Sequence, residues 1–164
     1  MRSIGSLTRA LGTIAAALAL ATALHAQQPI LYGAPIPLEK ARTVAAAAVA
    51  EAQKNGWLMA VTIVDSSGQL VFFEKMDGTQ LGSIQVSMDK AHSAIFFKRP
   101  TKAQDDSLAA GGAGIRVLKV PGAMPIEGGI PLIENGKIIG AVGVSGAQPP
   151  QDGQCATAAA ATVH

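Results

Sequence analysis

The sequence predicts an α+β class of α/β protein, an antiparallel sheet with helices packed against it. Two strand-turn-strand segments carry that prediction, LMAVTIVDSSGQLVFFEKMDG at 58–78 and GGIPLIENGKIIGAVGVSG at 128–146. Each joins a β-branched run to another through a Gly-containing turn, Ser66-Ser67-Gly68 in the first and Glu134-Asn135-Gly136-Lys137 in the second. Asn-Gly between apolar runs is a strong hairpin signal, because both residues tolerate the positive φ of a tight turn. The third observation is the helical pattern of the block between the hairpins, from Leu81 to Phe97.

The elements follow in order. Residues 27–37 form an extended lead in which Pro29, Pro35 and Pro37 prevent early helix. Leu38 to Asn55 is Ala-rich, with Val44, Ala48 and Ala52 at helical spacing and Asn55-Gly56 as a stop signal. Small alanines on one face allow close packing on a sheet. Strands at Leu58–Asp65 and Leu70–Lys75 come next, closed by Met76-Asp77-Gly78. In the second helix, Leu81 to Phe97, the residues Ile84, Met88, Ala91 and Ile95 form the expected inward stripe. Pro100 ends it, and Thr101 is placed to cap a short third helix running to about Leu108. Residues 109–129 are rich in Gly and Pro, with Ile115–Val120 as one short strand. Strands at Gly129–Ile133 and Lys137–Val144 and an Ala-rich helix from about Gln151 complete the chain. No linker divides residues 38–164, which read as one domain with a single core.

The first 26 residues read as a signal peptide. Arg2 and Arg9 make a basic leading region, Ala10 to Leu24 is uncharged and mostly Ala and Leu, and Leu24-His25-Ala26 offers a small-residue boundary. That stretch is the length of a signal core and shorter than the roughly 20 residues of a membrane span. The expectation is a periplasmic or secreted protein beginning near Gln27, without a stable membrane span; the alternative is an uncleaved N-terminal anchor. Of 13 basic residues, Arg2 and Arg9 leave with the signal, so 11 remain against 11 acidic. A neutral chain whose one basic cluster, Lys98-Arg99 with Lys102, runs straight into Asp105-Asp106 has no footprint for nucleic acid. The single cysteine, Cys155, has no internal partner for a disulfide. It reads as a small buried residue on a helix, with a reactive or intermolecular thiol as the alternative.

Six segments, VDSSG (64–68), MDG (76–78), KAHSA (90–94), RPT (99–101), EGGIPL (127–132) and GAVGVSG (140–146), occur in the order and approximate spacing of a known family. From about Leu38 to Ala161 the chain resembles the GlcG/HbpS-like, haem-degrading-domain family. The resemblance implies a profilin-like, five-stranded antiparallel sheet with helices on both faces. It also implies a homo-oligomer and, as partner, a small-molecule ligand: haem or a related tetrapyrrole.

A haem pocket needs an apolar slot, an axial donor to iron and cations for the propionates. Beyond the signal only His92 and His164 remain, and His164 is the last residue. His92 has Met88 and Phe96 four residues to either side, with Lys90, Lys98 and Arg99 close in sequence. His92 is therefore the candidate iron ligand, with Met88 as apolar wall and Lys90 and Arg99 as cations. Its alternative is a helical histidine hydrogen-bonded to a neighbour. Thr101 is a second candidate ligand as well as a cap, and Tyr32 a third from the flexible lead. Glu127, on a Gly-flanked loop entering a strand, is a candidate to face the ligand. Asp65 and Asp77 precede turns, where an Asp usually bonds its own backbone. GAVGVSG lacks the second glycine of a nucleophile elbow, because residue 147 is Ala, and GGAGIRV (111–117) has Val117 where a dinucleotide fingerprint needs Gly. Three functions stay open: an exported tetrapyrrole-binding protein, a haem-degrading enzyme, and a cofactor-free accessory oligomer acting through protein contacts.

Overall fold

The computed structural model describes residues 29–164, so the segment read as a signal and its boundary at Gln27 lie outside the described residues. The order of elements is β1 (Leu31–Tyr32), α1 (Leu38–Asn55), β2 (Ala60–Asp65), β3 (Leu70–Lys75), α2 (Gly82–Phe97) and α3 (Lys102–Ala109). A 3₁₀ helix (Gly112–Lys119), β4 (Gly129–Glu134), β5 (Lys137–Ser145) and α4 (Pro149–Ala160) follow.

Both hairpins form where their turns place them. In the first, the Asp65 carboxylate accepts from the N–H groups of Ser67 (2.7 Å) and Gln69 (3.0 Å), bending the chain back between β2 and β3. In the second, Asn135 (φ 49°) and Gly136 (φ 73°) supply the positive φ pair that joins β4 to β5. The four long strands run antiparallel in the order β3-β2-β5-β4. β1 adds a parallel pairing of two residues, Leu31 with Lys137 and Tyr32 with Ile138. Because β4 holds the other edge of β5, β1 lies beyond the end of β2 on the shared edge.

Helices cover both faces. α1 and α4 pack on Val61, Ile63, Val142 and Val144, while α2 packs on Val64, Ile138 and Ala141. The register of β5 jumps between Leu132–Gly140 and Ile133–Ile138, leaving Ile139 as the extra residue of a bulge. That bulge inverts the alternation along β5, so that odd-numbered Ile139 joins Val142 and Val144 on the α1 side and even-numbered Ile138 joins Ala141 on the α2 side.

Several expectations are corrected. The sheet-facing stripe of α2 is not Ile84, Met88, Ala91 and Ile95. Ile84 and Met88 are only half-buried, and Ser83, Ser87, Lys90 and Ala94 join Ala91 and Ile95 inside. A small, polar face wins because the helix sits close: Thr62 and Ser87 share a 2.8 Å hydrogen bond, and a Cβ on Gly143 would strike the backbone at Ser87 and Ala91. Ile115–Val120 is not a strand but mostly 3₁₀ helix, in which residues three apart share a face. Thr101 does not cap α3 with its side chain. α4 starts at Pro149, where proline at the first turn loses no helical hydrogen bond. The lead carrying Tyr32 is docked, with the Tyr32 hydroxyl donating to the Ile95 carbonyl (2.8 Å) and the Lys98 ammonium 4.2 Å from its ring centroid.

Candidate functional site

The sequence motifs separate into an internal cluster and a surface site. The internal cluster centres on Lys90, which α2 points inward until no part of it is exposed. Its ammonium donates to the Asp152 carboxylate of α4 (2.7 Å) and to the Val144 carbonyl of β5 (3.1 Å). Burial holds the Lys90 ammonium below its ordinary pKa and raises the Asp152 carboxyl, while their mutual attraction opposes both shifts; Asp105 and Glu127 add negative potential around the lysine. Lys90 is therefore not a cation for propionates: its charge is already matched inside the protein.

Thr101 lies in the same interior, and half-buried Glu127 borders it. Thr101 is fully buried; its hydroxyl accepts from the Gly129 N–H (2.9 Å), and its own N–H donates to the Gly129 carbonyl (2.9 Å). That clamp between α3 and β4 uses the oxygen a ligand would need. The Glu127 side chain lies over Gly153 of α4, where a Cβ would collide with its carboxylate. It is not among the walls of the cavity at His92 or of the groove at Arg99. Gly128, at φ 129°, leaves room for the Lys90 ammonium, which an added Cβ would approach to 2.8 Å. Thr101 of RPT and the EGG segment are thus packing devices around a buried ion pair.

The surface site contains His92 and Arg99. His92, on the outward side of α2, lines a cavity of 310 Å³ with Asp89, Phe96 and the segment Gly122-Ala123-Met124. The Phe96 ring stacks on the imidazole, with centroids 5.8 Å apart and planes 9° from parallel. Nε2 of His92 lies 3.1 Å from the Gly68 carbonyl. A carbonyl only accepts, so Nε2 carries the proton and neutral His92 keeps its lone pair on Nδ1. A histidine whose second nitrogen donates to a backbone carbonyl is the usual arrangement of a metal-ligating imidazole. Met88, expected as the apolar wall, does not line this cavity; Met124 does.

Arg99 lines an adjoining groove of 250 Å³ with Phe97, Gln104, Arg116, Val117, Val120 and Ala123. Ala123 belongs to both walls, so the 122–124 segment runs between the two. Among the described residues no three His, Cys, Asp or Glu side chains converge as a metal site, so a metal held here would bring most of its own ligands. An iron already ringed by a macrocycle and needing one imidazole fits that donor set.

A model of the family described as haem degrading protein HbpS-like matches residues 36–161. This chain belongs to that family. It is 36% identical to protein GlcG of Escherichia coli K12 over 107 residues, which are 65% of this chain and 78% of GlcG. A double mutant of Streptomyces reticuli HbpS matches with a TM-score of 0.73 at 29% identity, over 86% of this chain and 96% of that one. PduOC, crystallised as a complex with haem, matches with a TM-score of 0.71 at 26% identity, over 79% and 96%.

Two parts of this HbpS-like chain escaped the sequence reading, and each had a signal. Asp152 is the only Asp, Glu, Lys or Arg after Lys137, set in an Ala-rich helix; a lone carboxylate there requires a buried partner. Arg116 and Lys119 stand three apart in Ile115–Val120, a spacing that fits a period of three and not the period of two of a strand. That period puts Val117 and Val120 on one face beside Arg116.

Proposed function

We propose that this HbpS-like protein is exported, as a homo-oligomer, and binds haem or a related tetrapyrrole on the surface between α2 and the 112–124 segment. The observation that carries the reading is His92: an imidazole held by the Gly68 carbonyl, stacked on Phe96 and opening on a cavity. Nδ1 is the donor to iron, Phe96 and Met124 give apolar contact to the ring, and Arg99 faces a carboxylate. Bound haem would supply a redox-active iron. The haem complex of PduOC supports the ligand class.

Titration with haemin tests the ligand: a saturable Soret band is expected, and its absence refutes the reading. Adding a reductant to the loaded protein separates binding from degradation, since only an enzyme would lose the band and release a biliverdin-like product and iron. Export is supported by Arg2, Arg9 and the uncharged Ala10–Leu24 stretch. N-terminal sequencing of secreted protein should begin near Gln27, and an intact Met1 on cytoplasmic protein would refute it. Self-association is supported by exposed Leu70 and Leu81, and light scattering reads the mass directly.

A further inference from the structure

We infer that the groove beside the His92 cavity selects ligands by their free carboxylates, and that Arg116 is the residue that makes the selection. The inference rests on the tetrapyrrole reading and adds to it a criterion for which tetrapyrroles bind. The groove has apolar walls, Phe97, Val117, Val120 and Ala123, and two guanidinium groups, Arg99 and Arg116, with no carboxylate in its lining. Neither arginine belongs to an ion pair among the described residues, whereas Lys40, Arg42, Lys54, Lys90 and Lys102 all do. The Arg99 side chain makes one hydrogen bond among the described residues, from Nε to the Phe97 carbonyl at 3.3 Å, which leaves its terminal nitrogens free to form a fork.

Gln104 adds a third donor. Its carbonyl oxygen accepts from the Ser93 hydroxyl (3.0 Å), and that hydroxyl oxygen accepts from the Met124 N–H (3.0 Å). The amide is thereby fixed with its oxygen inward. Its nitrogen makes no hydrogen bond among the described residues, yet no side-chain nitrogen there is buried without a partner, so it borders the groove. Two forked cations and one amide donor over an apolar floor match an apolar ring edged with carboxylates. They do not match an amide- or ester-edged ring, which would leave the guanidinium groups desolvated without a counter-charge. Arg99 alone could bind an anion anywhere along the α2 terminus. Arg116 reaches the same groove from a separate element, the 3₁₀ helix, and so adds a second cation that only a ligand seated in the groove can meet.

The test compares haemin with haemin dimethyl ester by Soret titration on the full-length mature protein. Wild type should bind the free acid about tenfold or more tightly than the diester, the worth of one charge-assisted contact. The preference should shrink at high salt, because the contacts are near solvent. Arg116→Gln should lose the preference while keeping the Soret position, since His92 is untouched, and keeping the melting temperature, since Arg116 is exposed. Arg116→Lys should recover part of it, having the charge without the fork. Equal affinity of wild type for acid and diester overturns the inference and leaves the tetrapyrrole reading standing, as does an Arg116→Gln variant with the wild-type ratio. No binding of either compound removes both.

Discussion

Cys155 sits fully buried on α4, and burial raises its thiol pKa to about 11 from an ordinary 9.0. Between those values the unfolded chain has lost the proton that the folded chain still holds, so stability falls as pH rises through the window. Two units correspond to about 2–3 kcal/mol at most. Cys155→Ala should start less stable at pH 8 but lose less on going to pH 11, as urea midpoints will read; parallel curves would refute the assignment. The same burial makes Cys155 inert to thiol reagents until the protein unfolds. His92 gives the opposite kind of prediction. His92→Ala removes one hydrogen bond and a ring contact at a half-buried helical site, where alanine is the better helix former, so stability should change by about 1 kcal/mol or less. Haem affinity should drop and the Soret maximum move. An unchanged spectrum would transfer the ligand role to another residue.

α2 and β5 approach so closely that their contact depends on a missing side chain. Gly143→Ala places a methyl group against the backbone at Ser87 and Ala91, which cannot yield without moving the helix, so a loss of about 1–3 kcal/mol or more is expected. Gly136→Ala meets no atom within 4 Å and carries only the strain of φ 73°, so it should cost less. Denaturant midpoints of the two variants rank the effects, and the reverse order would sink this account of the packing. The contrast also explains how much of the fold was legible. Asp65 and Asn135-Gly136 announce their hairpins because a turn is local chemistry. The buried face of α2 was not legible, because Ser83 and Ser87 become interior only where Ser145, Thr62 and Gly143 meet them from the sheet. Of the proposed site, residue type alone singles out His92 and Arg99, and each keeps a surface on a cavity. Lys90, Thr101 and Glu127 were misplaced because their partners, Asp152, Gly129 and Gly153, lie 26–62 positions away in the chain.

The two helical layers lie on opposite faces of the sheet, and Lys90 and Asp152 join them. Lys90 leaves α2, passes Gly128 where the chain enters β4, and meets Asp152 on α4 at the other face. Asp152 also accepts from the Ala147 N–H (3.1 Å), which fixes the turn out of β5. A pair buried this deeply contributes little net stability compared with neutral groups of the same shape, but removing one member strands a charge. Lys90→Met leaves the Asp152 carboxylate without its cation, and Asp152→Asn leaves the ammonium without its anion. Each should cost about 3–5 kcal/mol. Lys90→Met with Asp152→Asn together strands no charge, and the asparagine oxygen can still accept from Ala147. The double variant should therefore lose no more than either single variant, giving a coupling of about 3 kcal/mol or more in a double-mutant cycle. Amide exchange locates the effect: in the single variants α4 should open well before β2, which both layers bury. Additive losses, or exchange rising uniformly through the sheet, would mean that the two layers are held by apolar packing alone.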